Sequence, residues 1–119
     1  MDGKEPVIMP TTKPIKLIIN RQFIDNLTKV LHYSLENFGG KVMLEFLSEI
    51  NKELIKLPFF PDANPLNMFL ESTERKTYRN IIFKKYPYII SYSVEQKSVT
   101  VFNIIHSKRN PKYREENIK

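Results

Sequence analysis

The last third of the chain holds three consecutive runs of β-branched and aromatic residues with very short breaks between them. The runs cover residues 78–85, 88–94 and 99–106, and each has the length and composition of a β-strand. A parallel crossover needs a dozen residues or more, so breaks of two and four residues permit only antiparallel neighbours. The sequence therefore predicts a three-stranded antiparallel meander.

Alternation along these strands indicates which faces are covered. In the second run, every even-numbered residue from Tyr88 to Val94 is apolar or aromatic, whereas the odd-numbered positions include Ser91 and Ser93. In the third run, both alternating sets contain apolar residues. Strands that are covered on both sides have this composition, so we expect the third run to lie inside the sheet.

The chain before the meander predicts one strand and a helical hairpin. Residues 15–19 form a short apolar run, which should join the meander as a fourth strand. Apolar residues then recur with helical spacing from Arg21 to Phe38, with Asn20 as a plausible N-cap. After Gly39 and Gly40 a second helical pattern follows, which ends before residue 58.

The apolar stripes of the two helices should be buried against each other and against the sheet. The first stripe comprises Phe23, Leu27, Val30, Leu31, Ser34, Leu35 and Phe38, and the second comprises Met43, Phe46, Leu47, Ile50, Leu54 and Leu57. His32 has no partner at metal-ligand spacing, so we expect a surface or core-edge histidine. Residues 58–73 include three prolines and predict an irregular connector, with a turn at Leu66, Met68, Phe69 and Leu70 that caps the core.

Length and composition bound the class of protein. A chain of 119 residues with 41% hydrophobic content predicts one globular domain, which we expect over residues 14–112, between a flexible leader (1–13) and a basic C-terminal tail (113–119). The absence of cysteine excludes disulfides, thiolate nucleophiles and cysteine-type zinc sites. No uncharged run approaches the ~20 residues that a membrane span needs, so we expect a cytoplasmic protein without a membrane partner.

The net charge of +6 is unevenly distributed. Residues 1–73 carry 8 Lys+Arg against 9 Asp+Glu, whereas residues 74–119 carry 11 against 4. The positive half would attract a polyanion or an acidic protein segment, although a basic surface kept for solubility has the same composition.

Several kinds of catalytic site are missing. The sequence has no glycine-rich phosphate loop, no paired carboxylates and no Ser/His/Asp set at a known spacing. A Mg²⁺ nuclease needs two or three neighbouring acidic ligands, and the basic half supplies only Glu74, Glu95, Glu115 and Glu116. We therefore expect no metal and no other cofactor.

Metal-free RNA cleavage needs proton-transfer groups and cations around the phosphate, which His, Tyr, Lys and Arg can provide. The candidate catalytic residues are Arg79, His106, Arg109 and Tyr113, and the candidate nucleic-acid-binding residues are Lys84, Lys85, Lys108 and Lys112. Arg79 can approach residues 106–109 if the first and third meander strands pair. Structural roles remain open, because Lys84 and Lys85 could protect a sheet edge and His106 could simply end a strand.

The order of elements and three motifs resemble the RelE/ParE superfamily of bacterial toxin–antitoxin modules. The family has an Arg entering the first meander strand, a Phe/Tyr-Pro-Tyr-x-Ile-x-Tyr segment and a last strand ending in a His-x-x-Arg-x-Pro-like motif. Arg79, residues 86–92 and residues 106–111 match these motifs in order. The resemblance covers residues 14–112. It implies an α+β fold in which an N-terminal strand, a two-helix hairpin and a three-stranded antiparallel meander form one small sheet.

The superfamily contains two activities. RelE-like members cut mRNA, usually in the ribosomal A site, and Arg79, His106, Arg109 and Tyr113 could match their nuclease residues. ParE-like members poison DNA gyrase without nuclease residues, yet share the arginine and the His-x-x-Arg ending. The long helical hairpin favours the ParE-like group, whereas the Lys84-Lys85 pair and the tyrosine-rich sheet favour RNA.

We therefore expect the toxin of a type II toxin–antitoxin system, acting as a metal-independent, ribosome-dependent mRNA endoribonuclease. The alternatives are a non-enzymatic gyrase inhibitor and an inactive basic binding module. With either toxin activity, the resemblance implies a cognate antitoxin. Its C-terminal segment would wrap along the helices and sheet, and its acidic residues would meet the basic face.

Overall fold

The structure, a computed structural model, describes residues 13–108. The predicted tail and most of the predicted leader therefore lie outside the described residues, as do Arg109, Lys112 and Tyr113. In chain order the elements are β1 (Lys16–Ile19), α1 (Arg21–Phe38), α2 (Gly40–Lys56), β2 (Thr77–Ile82), β3 (Tyr88–Val94) and β4 (Ser98–His106). The predicted α+β fold, with a strand, a helical hairpin and a meander, is confirmed.

The four strands form one sheet in the order β1-β4-β3-β2. The meander pairs are antiparallel, and β1 joins them parallel to β4, from Lys16 opposite Ser98 to Ile19 opposite Val101. Strand β4 lies inside the sheet, as its two-sided apolar pattern predicts, and Val99 and Val101 are completely buried.

The first meander strand is shorter than predicted. Strand β2 ends at Ile82, so the prediction that it extends to residue 85 is wrong, and Lys84 and Lys85 lie in the hairpin turn. The turn closes early because the Phe83 N–H donates to the Tyr88 carbonyl (3.4 Å). The Tyr88 N–H in turn donates to the Tyr86 carbonyl (2.8 Å), so the turn runs from residue 83 to 87.

A β-bulge interrupts the pairing of β3 with β4. Ser91 faces Asn103 and Tyr92 faces Val101, so Phe102 is the extra residue on β4. Its ring meets that of Tyr78 on β2 edge to face, with 6.1 Å between centroids. Ser91 is buried, so the partly polar face of β3 is covered as well.

The two helices pack on the sheet through the middle of their stripes. Phe23, Phe46, Ile50 and Leu57 are buried against the inward residues of β2, β3 and β4, and the Asn20 side chain caps α1 by accepting from the Arg21 N–H (3.0 Å). The remaining helical stripe residues of this core are partly buried: Leu27, Val30, Leu31 and Leu54.

The tip of the hairpin departs from the prediction. Leu35 and Phe38 are 46% and 62% exposed, so their predicted burial is wrong. Phe46 already packs on Tyr86 and Tyr88 at the end of the sheet, with ring centroids 4.4 and 5.3 Å away. Leu35 and Phe38, nearer the hairpin turn, are therefore left without a covering strand and face solvent.

The connector between α2 and β2 runs along the outer edge of β2. Leu66 forms an antiparallel bridge with Arg79, the Asn67 N–H donates to the Tyr78 carbonyl (2.7 Å), and the Asn80 N–H donates to the Pro65 carbonyl (2.9 Å). Leu66 and Met68 are 51% and 77% exposed, so the predicted apolar cap on the core is wrong. These backbone bonds turn Asn67 inward, and its neighbours on either side face solvent.

The two glycines of the hairpin turn should respond differently to alanine. Gly39 has φ 91° and ψ 169°, a backbone conformation that only glycine adopts readily, whereas Gly40 begins α2 with ordinary contact space for a Cβ. We expect Gly39→Ala to lower the free energy of unfolding by about 1–3 kcal/mol. Gly40→Ala should be neutral or stabilising, by at most about 1 kcal/mol. Urea unfolding of both variants tests this, and equal effects would contradict it.

Candidate functional site

Arg79 ties the connector to β2. Its Nη1 donates to the carbonyl of Asn64 (2.7 Å), and its Nε lies 3.6 Å from Oδ1 of Asp62. The arginine side chain is 18% exposed, whereas that of Asp62 is 72% exposed, so solvent screens the ion pair and it contributes little to stability. The hydrogen bond to the connector backbone is the stronger constraint, because a charged donor strengthens it.

Tyr92 lies opposite Arg79 on β3 and holds the same piece of connector. Its hydroxyl donates to the Pro61 carbonyl (2.8 Å) and accepts from Nδ2 of Asn64 (3.2 Å). Burial raises the pKa of Tyr92, and the Asn64 hydrogen bond and the Arg79 charge oppose this only in part. We call these contacts the Arg79–Tyr92 clamp: Arg79 and Tyr92 holding Pro61, Asp62 and Asn64.

A second polar group fixes the connector further along. Oδ1 of Asn80 on β2 accepts from Nδ2 of Asn67 and from Oγ of Ser91, each at 2.9 Å. Oδ1 of Asn67 accepts from the N–H groups of Phe69 (2.7 Å) and Leu70 (3.1 Å), which shapes the following turn. The three side chains are buried and mutually bonded, so this part of the connector has a defined conformation.

His106 lies at the opposite end of the sheet. It pairs with Tyr88, whose ring it meets edge to face at 5.0 Å, and its Nδ1 accepts from the Lys108 N–H (3.1 Å). The Ser107 N–H donates to the Pro87 carbonyl (2.9 Å), which joins the end of β4 to the β2–β3 turn. The exposed Lys84 and Lys85 lie in that turn. We call Lys84, Lys85, His106 and Lys108 the basic sheet end.

The structure separates Arg79 from His106. The pairing of the first and third meander strands, on which their approach depended, does not form, because β3 lies between β2 and β4. Arg79 pairs with Tyr92, and His106 pairs with Tyr88, which precedes Tyr92 by four residues on β3. With ~3.3 Å per residue and ~4.8 Å per strand spacing, the two backbones are about 16 Å apart.

Of the described candidates, His106, Lys84, Lys85 and Lys108 thus lie at the basic sheet end. Arg79 lies in the Arg79–Tyr92 clamp instead. The roles of Arg109, Lys112 and Tyr113 stay predictions, because those residues lie outside the described part of the chain.

The clamp residues Tyr92, Asp62 and Asn64 were missed in the sequence. The one available signal was a tyrosine hydroxyl at an inward position of β3, since a buried tyrosine usually finds a hydrogen-bond partner. Nothing in the connector sequence identifies its carbonyls as that partner, because they belong to an irregular segment without periodicity.

The surroundings of the clamp favour no single ligand class. A cleft of about 1190 Å³ beside Arg79 is lined by both signs of charge, including Glu74, Arg75, Glu95 and Lys97. Within residues 13–108, no group of three or more His, Cys, Asp or Glu side chains could hold a metal ion. In the same range, no helix is long and apolar enough to cross a membrane.

The fold and motifs define a toxin of the RelE/ParE superfamily. Residues 17–111 match the family described as ParE toxin of type II toxin-antitoxin system, parDE, and the chain belongs to this family. Its fold is similar to that of a chain in the chromosomal ParDE TA system from P. aeruginosa, with TM-score 0.65, 13% sequence identity, and coverage of 77% of this chain and 95% of that one. A comparison with curated proteins gives no significant match.

The clamp predicts a distinctive pH dependence of stability. The folded state raises the pKa of Tyr92 above its ordinary value of 10.0, so folding favours the protonated hydroxyl. Its stabilising contribution is present below pH 10 and is lost as the pH rises through the raised pKa. We expect Tyr92→Phe to cost about 1 kcal/mol at neutral pH, where the hydroxyl hydrogen bonds are lost.

Urea unfolding of the wild type and Tyr92→Phe from pH 7 to pH 11 measures this difference. The stability difference should be constant at neutral pH and should shrink above pH 10. A difference that stays constant to pH 11 would show that the Tyr92 hydroxyl does not couple to folding.

Proposed function

We propose that this chain is a non-enzymatic toxin that arrests growth by binding DNA gyrase in the cytoplasm, and that a cognate antitoxin neutralises it. The observation that carries the proposal is the location of Arg79, which the nuclease hypothesis requires as the cation that stabilises the transition state. Its side chain donates a hydrogen bond to the connector backbone. Its own backbone lies about 16 Å from that of His106, which is the only proton-transfer candidate among the described residues. A transition-state cation must contact the reacting phosphate, together with the group that moves the proton.

Membership of the ParE toxin family supports this choice. ParE-like proteins poison gyrase and have no nuclease residues. In this group, therefore, the arginine of the first meander strand does not have to contact a substrate. A structural role for Arg79 in the clamp agrees with that pattern. The antitoxin follows from the same family, in which the toxin is one component of a two-protein system.

Ribosome-dependent mRNA cleavage is the second candidate, and the basic sheet end is the observation that favours it. The Nδ1 of His106 accepts the N–H of Lys108, and Lys84 and Lys85 lie in the turn that the Ser107 N–H joins to the same end of the sheet. Such a group could hold a phosphate and transfer a proton, with Arg109 and Tyr113 as further candidate catalytic residues and Lys112 as a further phosphate ligand. Within residues 13–108, however, no arginine is placed beside His106 to stabilise the transition state.

A supercoiling assay with purified gyrase and relaxed plasmid tests the first candidate directly. The chain should inhibit ATP-dependent supercoiling, and an equimolar amount of the antitoxin encoded beside it should restore activity. In parallel, 5′ ends of mRNA should be mapped in translating extracts with and without the chain. New ends in phase with codons, together with unaffected supercoiling, would overturn the gyrase proposal in favour of mRNA cleavage.

His106→Ala separates the two candidates within cells. Loss of a catalytic proton-transfer group lowers an enzymatic rate by about 10²–10⁴, whereas a strand-end histidine outside a binding surface contributes nothing to inhibition. We expect His106→Ala to arrest growth as the wild type does when both are induced to equal protein levels. Loss of arrest in a variant with an unchanged circular dichroism spectrum would indicate the nuclease.

A further inference from the structure

The connector differs in charge from the rest of the chain. Residues 57–74 contain three acidic residues and no lysine or arginine, so all 19 Lys+Arg lie outside this segment. The three acids, Asp62, Glu71 and Glu74, are exposed. In a chain with a net charge of +6, the connector is thus an acidic segment on the edge of the sheet beyond β2, with Asp62 beside Arg79 at its start and Arg75 and Lys76 directly after its end.

The same strip exposes large apolar side chains. Met68 is 77% exposed, more than any other large apolar residue described, and Leu66 and Leu70 are 51% and 39% exposed. These residues together with Glu71 and Glu74 are here called the connector patch. Isolated exposed apolar residues are common, but three within five positions, bordered by acids, are typical of a contact surface.

The patch has a defined conformation. Asn67 lies between Leu66 and Met68 and is buried through its bond to Asn80, and its side-chain oxygen holds the N–H groups of Phe69 and Leu70. The clamp fixes the chain just before it. A surface that is already ordered loses little conformational entropy when it binds, which favours affinity.

The charge of the patch indicates its partner. The patch itself has no lysine or arginine to contact phosphates, and Glu71 beside Leu70 would repel them, so RNA and DNA do not fit. The antitoxin is expected to bring acidic residues to the basic face, and like charges would keep those residues away from the connector. A protein surface with an apolar recess bordered by lysine or arginine fits both features.

We propose that the connector patch is the surface by which the toxin binds its protein target, with Met68 inserted into an apolar recess bordered by basic residues. This inference rests on the proposed function in one respect, because it takes the target to be a protein. Methionine suits such a contact, since its flexible side chain adapts to irregular recesses. The patch and the basic sheet end then serve different partners.

The test uses the full chain with Met68→Lys and Glu71→Lys, separately and together. Both positions are exposed, so the fold should be unchanged by circular dichroism and thermal unfolding. Ile55→Lys is the matched control, because Ile55 is 67% exposed on α2 and receives the same charge. We expect Met68→Lys to weaken supercoiling inhibition about 30-fold or more and to reduce growth arrest. Ile55→Lys should leave inhibition unchanged, and antitoxin binding to both Met68→Lys and Glu71→Lys should be as tight as in the wild type.

The outcomes separate the patch from the proposed function. If the wild type arrests growth without inhibiting gyrase, the gyrase proposal fails, and loss of arrest in the folded patch variants still supports a target-binding patch. If the double variant arrests growth as the wild type does, the patch proposal is wrong whatever the target. Equal weakening by Ile55→Lys, or loss of antitoxin binding in the patch variants, would also overturn it.

Discussion

The parallel pairing of β1 with β4 is the constraint on which the rest of the fold depends. It joins a strand that ends at Ile19 to one that begins at Ser98, so the helical hairpin and the first two meander strands form between them in the chain. The Asn20 N–H donates to the Val101 carbonyl (2.9 Å), which starts α1 at the point where β1 ends. Asn26 on α1 then donates to Asn103 on β4 (2.7 Å), so the helix continues along the central strand. The hairpin covers one face of the sheet. Strands β3 and β2 extend the sheet on the side of β4 that is opposite β1.

That arrangement leaves β2 at one edge of the sheet, and exposed strand edges invite unwanted pairing. The connector covers this edge with its backbone bonds, and the clamp and the Asn67–Asn80–Ser91 group hold it there. Arg79 therefore helps to fix the conformation of the connector. Replacing it with alanine cannot distinguish catalysis from structure, because the loss of its bond to Asn64 would also loosen the connector.

Sequence periodicity predicted the elements because each depends on local patterns. The limits of α1 followed from Asn20 and Gly39, and the central place of β4 followed from apolar residues on both of its faces. The burial of Leu35 and Phe38 was mispredicted because periodicity identifies a face but not where the neighbouring sheet ends. The contacts of Arg79 with the connector could not be predicted either, since a guanidinium suits a phosphate and a backbone carbonyl alike. Which of the two it meets depends on an irregular segment, and the bond from Arg79 to Asn64 joins residues that are fifteen positions apart.

If the connector patch and the basic sheet end bind different partners, the distance between the two surfaces determines how those partners affect each other. Leu66 lies one strand spacing beyond Arg79, so its backbone is about 19 Å from that of His106. At physiological ionic strength the screening length is about 8 Å, so a ligand bound at one surface would experience little of the field of the other. An acidic segment bound at the basic sheet end would therefore not neutralise the connector electrostatically. To block a target at the patch, an antitoxin must extend far enough to occlude it sterically, or must hold the toxin away from the target.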